Sequence, residues 1–327
     1  MPTIRLANAT IFAAGSGRSI LDAAAEAGLL LEHSCRTGRC GACKAQVLEG
    51  RTRALYPEIA LTEAERAQGY VLTCAREAED DVALNVSDLG FPADIVARTL
   101  PCRIASIKRL APAVVGVRLR LPPNARLKYL PGQYLDLTRA GVRRSYSIAN
   151  APRDDGMLEF HIRHVTDGQM SRYWFDEAQG NDLLHLHGPQ GTFFLRDIAD
   201  RHLVFLATGT GLAPIKAMVE QLATMKPEER PNSVTLFWGG RYLPDLYWMA
   251  IAEYDIRFVP VLSRPDVGWT GMVGHVQDRF LDIRPDLAET VVYACGSPLM
   301  IDDARARLEA EGLAPGCFFA DAFVSSD

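Results

Sequence analysis

Four cysteines constrain this chain more than any other feature. Cys35, Cys40 and Cys43 fall in the run Cys35-Arg36-Thr37-Gly38-Arg39-Cys40-Gly41-Ala42-Cys43, and Cys74 closes Val71-Leu72-Thr73-Cys74. The spacing C-x4-C-x2-C with a distant fourth cysteine is that of plant-type [2Fe–2S] sites, in which four thiolates hold two irons. A loop around an anionic cluster must turn tightly and aim N–H groups inward, and Gly38 and Gly41 accept the positive φ this requires. A structural zinc site also uses four cysteines, but as two paired knuckles, and only Cys40 and Cys43 are so spaced. Disulfides need an oxidising compartment, and residues 1–30 lack the basic and then apolar stretches of an export signal.

Of seven cysteines, Cys102, Cys295 and Cys317 are left as free thiols, as expected in a reducing cytoplasm. A length of 327 residues allows two or three domains. No apolar run reaches the ~18 residues of a membrane span, so no membrane association is expected. A net charge of −5 is too mild to argue for nucleic acid. Residues 1–95 hold 9 Lys and Arg against 13 Asp and Glu, yet Arg36, Arg39 and Lys44 surround the cysteine loop. A partner protein docking there would meet a mixed, salt-sensitive face; a merely solvated surface is the plainer alternative.

In chain order, Ile4, Leu6, Ala7 and then Thr10, Ile11, Phe12 read as two short strands around Asn8-Ala9. Ser19 is an N-cap with Asp22 at N3, opening a helix that stops at Gly28. Thr62-x-x-Glu65 is a capping box for a second helix ending near Gly69, which delivers Cys74. Residues 82–86 give a last strand, and pairing of the ends closes a small curled sheet. The pattern breaks from Leu89 to Pro101, which is taken as a linker.

Alternating runs follow at Cys102–Ile107, Val114–Leu121, Gln133–Leu137, Arg144–Ile148 and Leu158–Ile162, the signature of an antiparallel barrel. Within them lies Arg144-Ser145-Tyr146-Ser147-Ile148-Ala149-Asn150. Arginine can fork onto a pyrophosphate, an aromatic ring can lie against a flavin, and a hydroxyl can reach its reactive nitrogen. Gly168-Gln169-Met170-Ser171 looks like a turn into a helix N-terminus, a natural phosphate site. Next come a strand, Leu203–Ala207, the glycine turn Thr208-Gly209-Thr210-Gly211, and a helix with Pro214 near its start. Ile215, Met218, Val219 and Leu222 give that helix one apolar face. Further apolar strands at Val234–Trp238, Phe258–Leu262 and Val291–Ala294, the last before Cys295-Gly296, predict a parallel α/β sheet. Its ligand crevice lies at the carboxyl ends of the strands. Pro214 occupies the third glycine position of G-x-G-x-x-G, so a regular dinucleotide-binding dehydrogenase is disfavoured.

Taken together these motifs resemble the ferredoxin reductase superfamily with an N-terminal plant-type ferredoxin, and the resemblance covers essentially the whole chain. Arg143 to Pro152, Gly188-Pro189-Gln190-Gly191-Thr192-Phe193-Phe194, Val292-Tyr293-Ala294-Cys295-Gly296-Ser297 and Phe318 to Val324 are most similar to the reductases of 3,6-dideoxyhexose synthesis. Trp238 to Tyr247 reads more like reductase components of multicomponent oxygenases. The resemblance implies an α+β ferredoxin (β-grasp) domain at 1–92, an antiparallel β-barrel FAD domain at 98–198 and an α/β parallel-sheet NAD domain at 199–327.

It also implies residue roles. Cys35, Cys40, Cys43 and Cys74 would hold the iron pair. Arg144, with Ser145 beside it, would bind FAD phosphate, Tyr146 would stack on the isoalloxazine and Ser147 would face its N5. His161, Ile162 and Arg163 would line the adenine side, and Gly168, Gln169, Met170 and Ser171 the pyrophosphate. Gly209, Thr210, Gly211, Pro214, Cys295 and Gly296 would form the nicotinamide end, with Phe323 covering the flavin where the nicotinamide enters; Ser147, Cys295 and Phe323 are thus the catalytic candidates. Plainer readings exist: a core tyrosine at 146, an ordinary strand histidine at 161, packing at Cys295 and Phe323. Arg241, Ser263 and Arg264 are candidates for the adenosine end. Pro265-Asp266-Val267-Gly268-Trp269 adds no basic run there, so NADH is expected rather than NADPH.

A hydride carries two electrons and a [2Fe–2S] centre takes one, so a flavin must stand between them. The expected path is NADH to FAD to [2Fe–2S] to a separate protein, an iron–sulfur dehydrase or an oxygenase component. A non-catalytic redox sensor or electron-storage module is the rival of another class.

Overall fold

The expected hairpin is present: β1 (Thr3–Arg5) and β2 (Ile11–Ala13) run antiparallel, with Ala9 in the left-handed conformation at the turn. The computed structural model describes residues 1–90, 95–283, 285–314 and 316–324, and the chain divides into two units, 1–95 and 96–327. In the first unit α1 (Ile20–Glu26) starts at Ser19, whose hydroxyl accepts the Asp22 N–H, and buries Ile20, Leu21, Ala23 and Ala24. Next come β3 (Lys44–Glu49), β4 (Thr52–Ala54), α2 (Glu63–Ala67), β5 (Tyr70–Leu72), β6 (Arg76–Ala78) and β7 (Val82–Leu84). Both halves of the Thr62/Glu65 capping box form. The sheet order β2-β1-β7-β3-β5 pairs β1 with β7 in parallel, so the two ends of the unit meet in its middle, as in a β-grasp fold. Strands β3 to β6 were not expected. Three of them are three residues long, too short for a two-residue period to register.

The linker expected over 89–101 is shorter than that. Residues 91–94 lie outside the described residues, and Arg98 already belongs to a strand. Pro101 therefore sits inside that strand, opposite His185, and does not mark a break.

The second unit begins with β8 (Arg98–Ala111), β9 (Val114–Arg120), β10 (Tyr134–Arg139), β11 (Val142–Ser147), β12 (Leu158–Arg163) and β13 (Leu183–Gln190). The antiparallel order is β11-β10-β13-β8-β9-β12, and a bridge from Ile148 to Phe160 joins the outer strands into a barrel. Val117, Leu119, Leu135, Leu137, Phe160 and Leu184 fill it. Strand β13 was missed, although Leu184 and Leu186 alternate with His185 and His187. Between β12 and β13, α3 (Gln169–Arg172) continues as a π-helical turn that buries Tyr173 and Trp174.

The remaining elements are β14 (His202–Thr208), α4 (Leu212–Thr224), β15 (Ser233–Gly240), β16 (Arg257–Leu262), β17 (Met272–Val273), α5 (Val276–Asp282), β18 (Thr290–Gly296), α6 (Pro298–Ala310) and β19 (Phe318–Ala322). All six strands are parallel, in the order β17-β16-β15-β14-β18-β19. Leu203, Phe205 and Ala207 face α4, whereas Val204 and Leu206 face the side covered by α5 and α6. Burial on both faces explains the continuous apolar runs. Ile215 and Met218 of α4 are fully buried, and side chains of that size contribute about 1.5–3 kcal/mol each. The chain leaves β14 in one direction and later returns on its other side, so a switch point, and with it a crevice, falls between the carboxyl ends of β14 and β18. No described helix is long and apolar enough to cross a membrane.

Candidate functional site

The cysteine loop fills the gap between α1 and β3, and Cys74 sits between β5 and β6. Pairing of Lys44 with Leu72 carries Cys43 up to the Cys74 segment, where Thr73 N–H donates to the Cys43 carbonyl at 3.0 Å. The Sγ atoms of Cys43 and Cys74 are 3.3 Å apart. Cys35 and Cys40 are the other pair: the Cys35 N–H points at Cys40 Sγ and the Thr37 N–H at Cys35 Sγ, both at 3.4 Å. Among the described residues no three His, Cys, Asp or Glu groups gather round one point. Two pairs of thiols suit two irons and do not suit one tetrahedral zinc. The Cys40 thiol and the amides of Thr37 and Arg39 draw Cys35 down to about 5. Cys43 and the Tyr56 hydroxyl draw Cys74 down to about 7. The same contacts, with burial, push Cys40 and Cys43 up. Binding of a cation by such thiols draws their protons off.

Gly38 has φ +73°, and a Cβ there would stand 2.5 Å from the Pro57 carbonyl oxygen. Gly41 shares the positive φ but has room. Tyr56, which sequence reasoning missed, fastens the loop: its hydroxyl is 2.6 Å from the Cys74 carbonyl and 3.0 Å from that of Arg36. Arg36 pairs with Asp22 and Lys44 with Glu65, so the charges of these two cations beside the loop are locally neutralised.

In the second unit, strand parity places Arg144, Tyr146 and Ile148 on one face of the β11 segment and Ser145 and Ser147 on the other. The Tyr146 hydroxyl accepts the Trp174 indole N–H at 3.1 Å, with the rings edge to face, and burial pushes its pKa up to about 12. Ser145 donates to Asp136 at 2.6 Å and is engaged there; Ser147 is 8% exposed. Arg144 is half-buried, its guanidinium on the Arg143 carbonyl. On β12 Ile162 belongs to the barrel core, His161 is buried and Arg163 is exposed. In the 168–171 turn Met170 also belongs to that core, and the Ser171 hydroxyl accepts the Val165 N–H at 2.9 Å. Only Gly168, Gln169 and the turn's backbone stay open.

At the carboxyl edge of the parallel sheet, Gly209 to Gly211 form a short 3-10 turn with Gly209 at φ +55°. A Cβ on Gly211 would overlap the Cys295 carbonyl, and one on Gly296 (φ +134°) would overlap the Thr208 hydroxyl. The Phe323 N–H donates to the Gly296 carbonyl at 2.9 Å, and 38% of Phe323 is exposed. The backbones of Gly211, Cys295 and Gly296 thus converge at the switch point with Phe323 hydrogen-bonded beside them, while the Thr210 side chain (7% exposed) is buried and Cys295 belongs to the core between α4 and the sheet. The Cys295 thiol is fully buried, and burial and Asp321 push it up, which keeps it neutral. Pro214 is buried in α4 and packs there. Ser263 N–H donates to the Gly240 carbonyl (3.0 Å) and Arg264 N–H to the Arg241 carbonyl (2.9 Å), so the two exposed arginines stand side by side.

The sequence did not reveal what surrounds His161. Its Nε2 meets Glu159 at 3.1 Å and its Nδ1 meets the Tyr247 hydroxyl at 3.1 Å. Glu159 in turn meets Lys216 of α4 at 3.3 Å. The one available signal was a Lys216/Glu220 pair at i,i+4 in an otherwise apolar stretch of helix.

Comparison with known proteins matches three family models: a 2Fe-2S iron-sulfur cluster binding domain over residues 6–79, an oxidoreductase FAD-binding domain over 101–195, and an oxidoreductase NAD-binding domain over 205–306. The chain is 42% identical over 322 residues to a CDP-6-deoxy-L-threo-D-glycero-4-hexulose-3-dehydrase reductase of Yersinia pestis, covering 97% of this chain and 96% of that one. It is 32% identical to the toluate 1,2-dioxygenase electron transfer component of Pseudomonas putida, covering 96% and 94%. The crystal structure of an Amycolatopsis cytochrome P450 reductase aligns over 99% of both chains with TM-score 0.78 and 28% identity.

Proposed function

The chain belongs to the iron–sulfur flavoprotein reductases that join a plant-type ferredoxin to FAD- and NAD-binding domains, and from that premise we propose that it supplies electrons from NADH to the dehydrase of 3,6-dideoxyhexose synthesis. The observation that carries this reading is 42% identity, along nearly the whole chain, to a protein named as a reductase of such a dehydrase. When bound, FAD takes the electron pair of the nicotinamide and the iron pair passes electrons on singly. The three modules are assigned to 1–92, 98–198 and 199–327.

The chain's own residues bind and orient. Cys35, Cys40, Cys43 and Cys74 hold the iron pair, with the Cys35 and Thr37 amides turned to sulfur. Arg144 would hold FAD phosphate, the Tyr146 ring, held by Trp174, would offer the isoalloxazine a face, and the Ser147 hydroxyl would serve its N5. The 161–163 strand and the 168–171 turn act through backbone groups on the adenine and pyrophosphate side, because the side chains of His161, Ile162, Met170 and Ser171 are otherwise engaged. Gly209 to Gly211 and Gly296 would leave room for the nicotinamide, Thr210 and Cys295 would lie beneath it, and Phe323 would cover the flavin where the nicotinamide enters. Arg241, Ser263 and Arg264 receive the adenosine end. Asp266 and Trp269 beside them favour NADH, since a 2′-phosphate would call for more positive charge. The location is cytoplasmic, a reading supported by the free thiols of Cys102, Cys295 and Cys317.

A second reading, the reductase component of a multicomponent oxygenase, is favoured by the wording of Trp238 to Tyr247 and by the 32% identity to a dioxygenase electron transfer component. A coupled assay separates the two. With a purified dehydrase and its CDP-sugar substrate, NADH oxidation is expected to become substrate-dependent. Coupling only to the oxygenase component of a ring-hydroxylating system would overturn the first reading in favour of the second.

A further inference from the structure

A buried ion cluster at the junction of barrel and parallel sheet is used by none of the roles above. Lys216 of α4 is 7% exposed; its ammonium donates to Glu220 at 2.7 Å and to the Ala149 carbonyl at 2.9 Å, and stands 3.3 Å from Glu159. Three acceptors match the three N–H groups of an ammonium. Glu220 also accepts from Arg153 at 2.9 Å and from the Ala151 N–H at 3.0 Å. Glu159, a carboxylate, can only accept, so His161 Nε2 carries the proton and Nδ1 accepts from Tyr247.

The location gives the cluster its meaning. Ala149 stands two residues beyond Ser147, at the end of the strand assigned to the flavin. Lys216 stands little more than one turn into the helix that grows out of Gly209-Thr210-Gly211, the turn assigned to the nicotinamide. A helix is stiff over that distance, so the ammonium spans the two sites as a strut. A second tie runs parallel to it. The Trp238 indole N–H donates to the Gly209 carbonyl at 3.0 Å, and its ring meets Tyr247 edge to face at 5.1 Å. Tyr247 then reaches His161 on β12.

Resting on that assignment of the two sites, we propose that Lys216 is a positioning residue. It fixes the spacing between Ser147–Ala149 and Gly209–Gly211, and so the approach of nicotinamide to flavin, while touching neither. Removing its charge would leave Arg153, 2.9 Å from Glu220 and 4.0 Å from Glu159, to balance two carboxylates at a buried junction, a costly arrangement that separation relieves. Misplacement on the order of 1 Å lowers a transfer rate by up to about a hundredfold.

The test uses the full-length holoenzyme carrying Lys216→Met, with a second variant, Lys216→Gln/Glu220→Gln, that leaves fewer unpaired charges should the first fail to fold. In either, flavin reduction by NADH in stopped flow is expected to slow by about tenfold to a hundredfold, with the KM for NADH little changed. The charge-transfer band of the reduced flavin with NAD+ should weaken. Cytochrome c reduction by protein pre-reduced with a stoichiometric addition of dithionite and freed of any excess should match wild type. Full FAD content with unchanged reduction rate and band would overturn the proposal, as would a loss of rate that follows loss of FAD in both variants. Wild-type protein that binds FAD but is never reduced by NADH would instead count against the functional reading.

Discussion

His161 and Glu159 make the second unit sensitive to acid. Burial holds His161 below its ordinary 6.5 despite the Glu159 carboxylate. Glu159 would be raised by burial, but the His161 hydrogen bond and the Lys216 charge outweigh it and hold it at about 2. Both folded values lie below the unfolded ones. The histidine's contribution is complete above about 6.5 and is lost as pH falls through its folded value; that of Glu159 is complete above about 4.5 and is lost towards about 2. Glu220, Lys216 and Tyr247 face the same histidine and shape its value without changing that sign. Urea unfolding at about pH 7.5 and about pH 5 should show wild type losing more stability on acidification than His161→Gln, by up to about 1–2 kcal/mol. Parallel losses would contradict the assignment. At this scale the cysteines were legible, since three lie within one short run and the fourth completes a known spacing. Tyr56, Glu159, Lys216 and Tyr247 were not, because the contacts that matter, Tyr56 to Cys74, Glu159 to Lys216 and Tyr247 to His161, join residues remote in sequence that only the fold brings together.

Among the elements, α4 and its glycine turn matter most. The turn runs so close to the end of β18 that Gly211 has no space for a Cβ against the Cys295 carbonyl. Gly211→Ala should therefore push turn and strand apart, raising the KM for NADH by about tenfold while leaving FAD content and the iron–sulfur spectrum intact. Titration of NADH-dependent ferricyanide reduction checks this, and an unchanged KM would remove the turn from the nicotinamide site. Helices with caps were legible from local chemistry: Ser19 and Thr62 are where the sequence puts them, and the apolar face of α4 is the one predicted. The long buried strands were legible too. What escaped were β3 to β6, whose few residues alternate too briefly, and the edge strands β17 and β19, which lack the continuous apolar character of the centre. In β13 the Leu/His alternation was present but its meaning was masked by Gly188-Pro189.

At the scale of the whole molecule, a ferredoxin unit carrying two pairs of thiols accompanies a second unit in which barrel and parallel sheet share one buried junction. On the proposed assignment of sites this division would follow electron count, the pair arriving at the junction and single electrons leaving from the cysteine loop. The most direct test mixes reconstituted protein, held anaerobically, with NADH and follows flavin absorbance in stopped flow beside the electron paramagnetic resonance of rapidly frozen samples. Flavin absorbance is expected to bleach first and the signal of a reduced [2Fe–2S] centre to follow. In Cys43→Ser the bleaching and ferricyanide reduction persist, whereas the signal and cytochrome c reduction are lost. A reduced-cluster signal in protein stripped of FAD, or the loss of bleaching together with the signal in FAD-replete Cys43→Ser, would contradict this electron path.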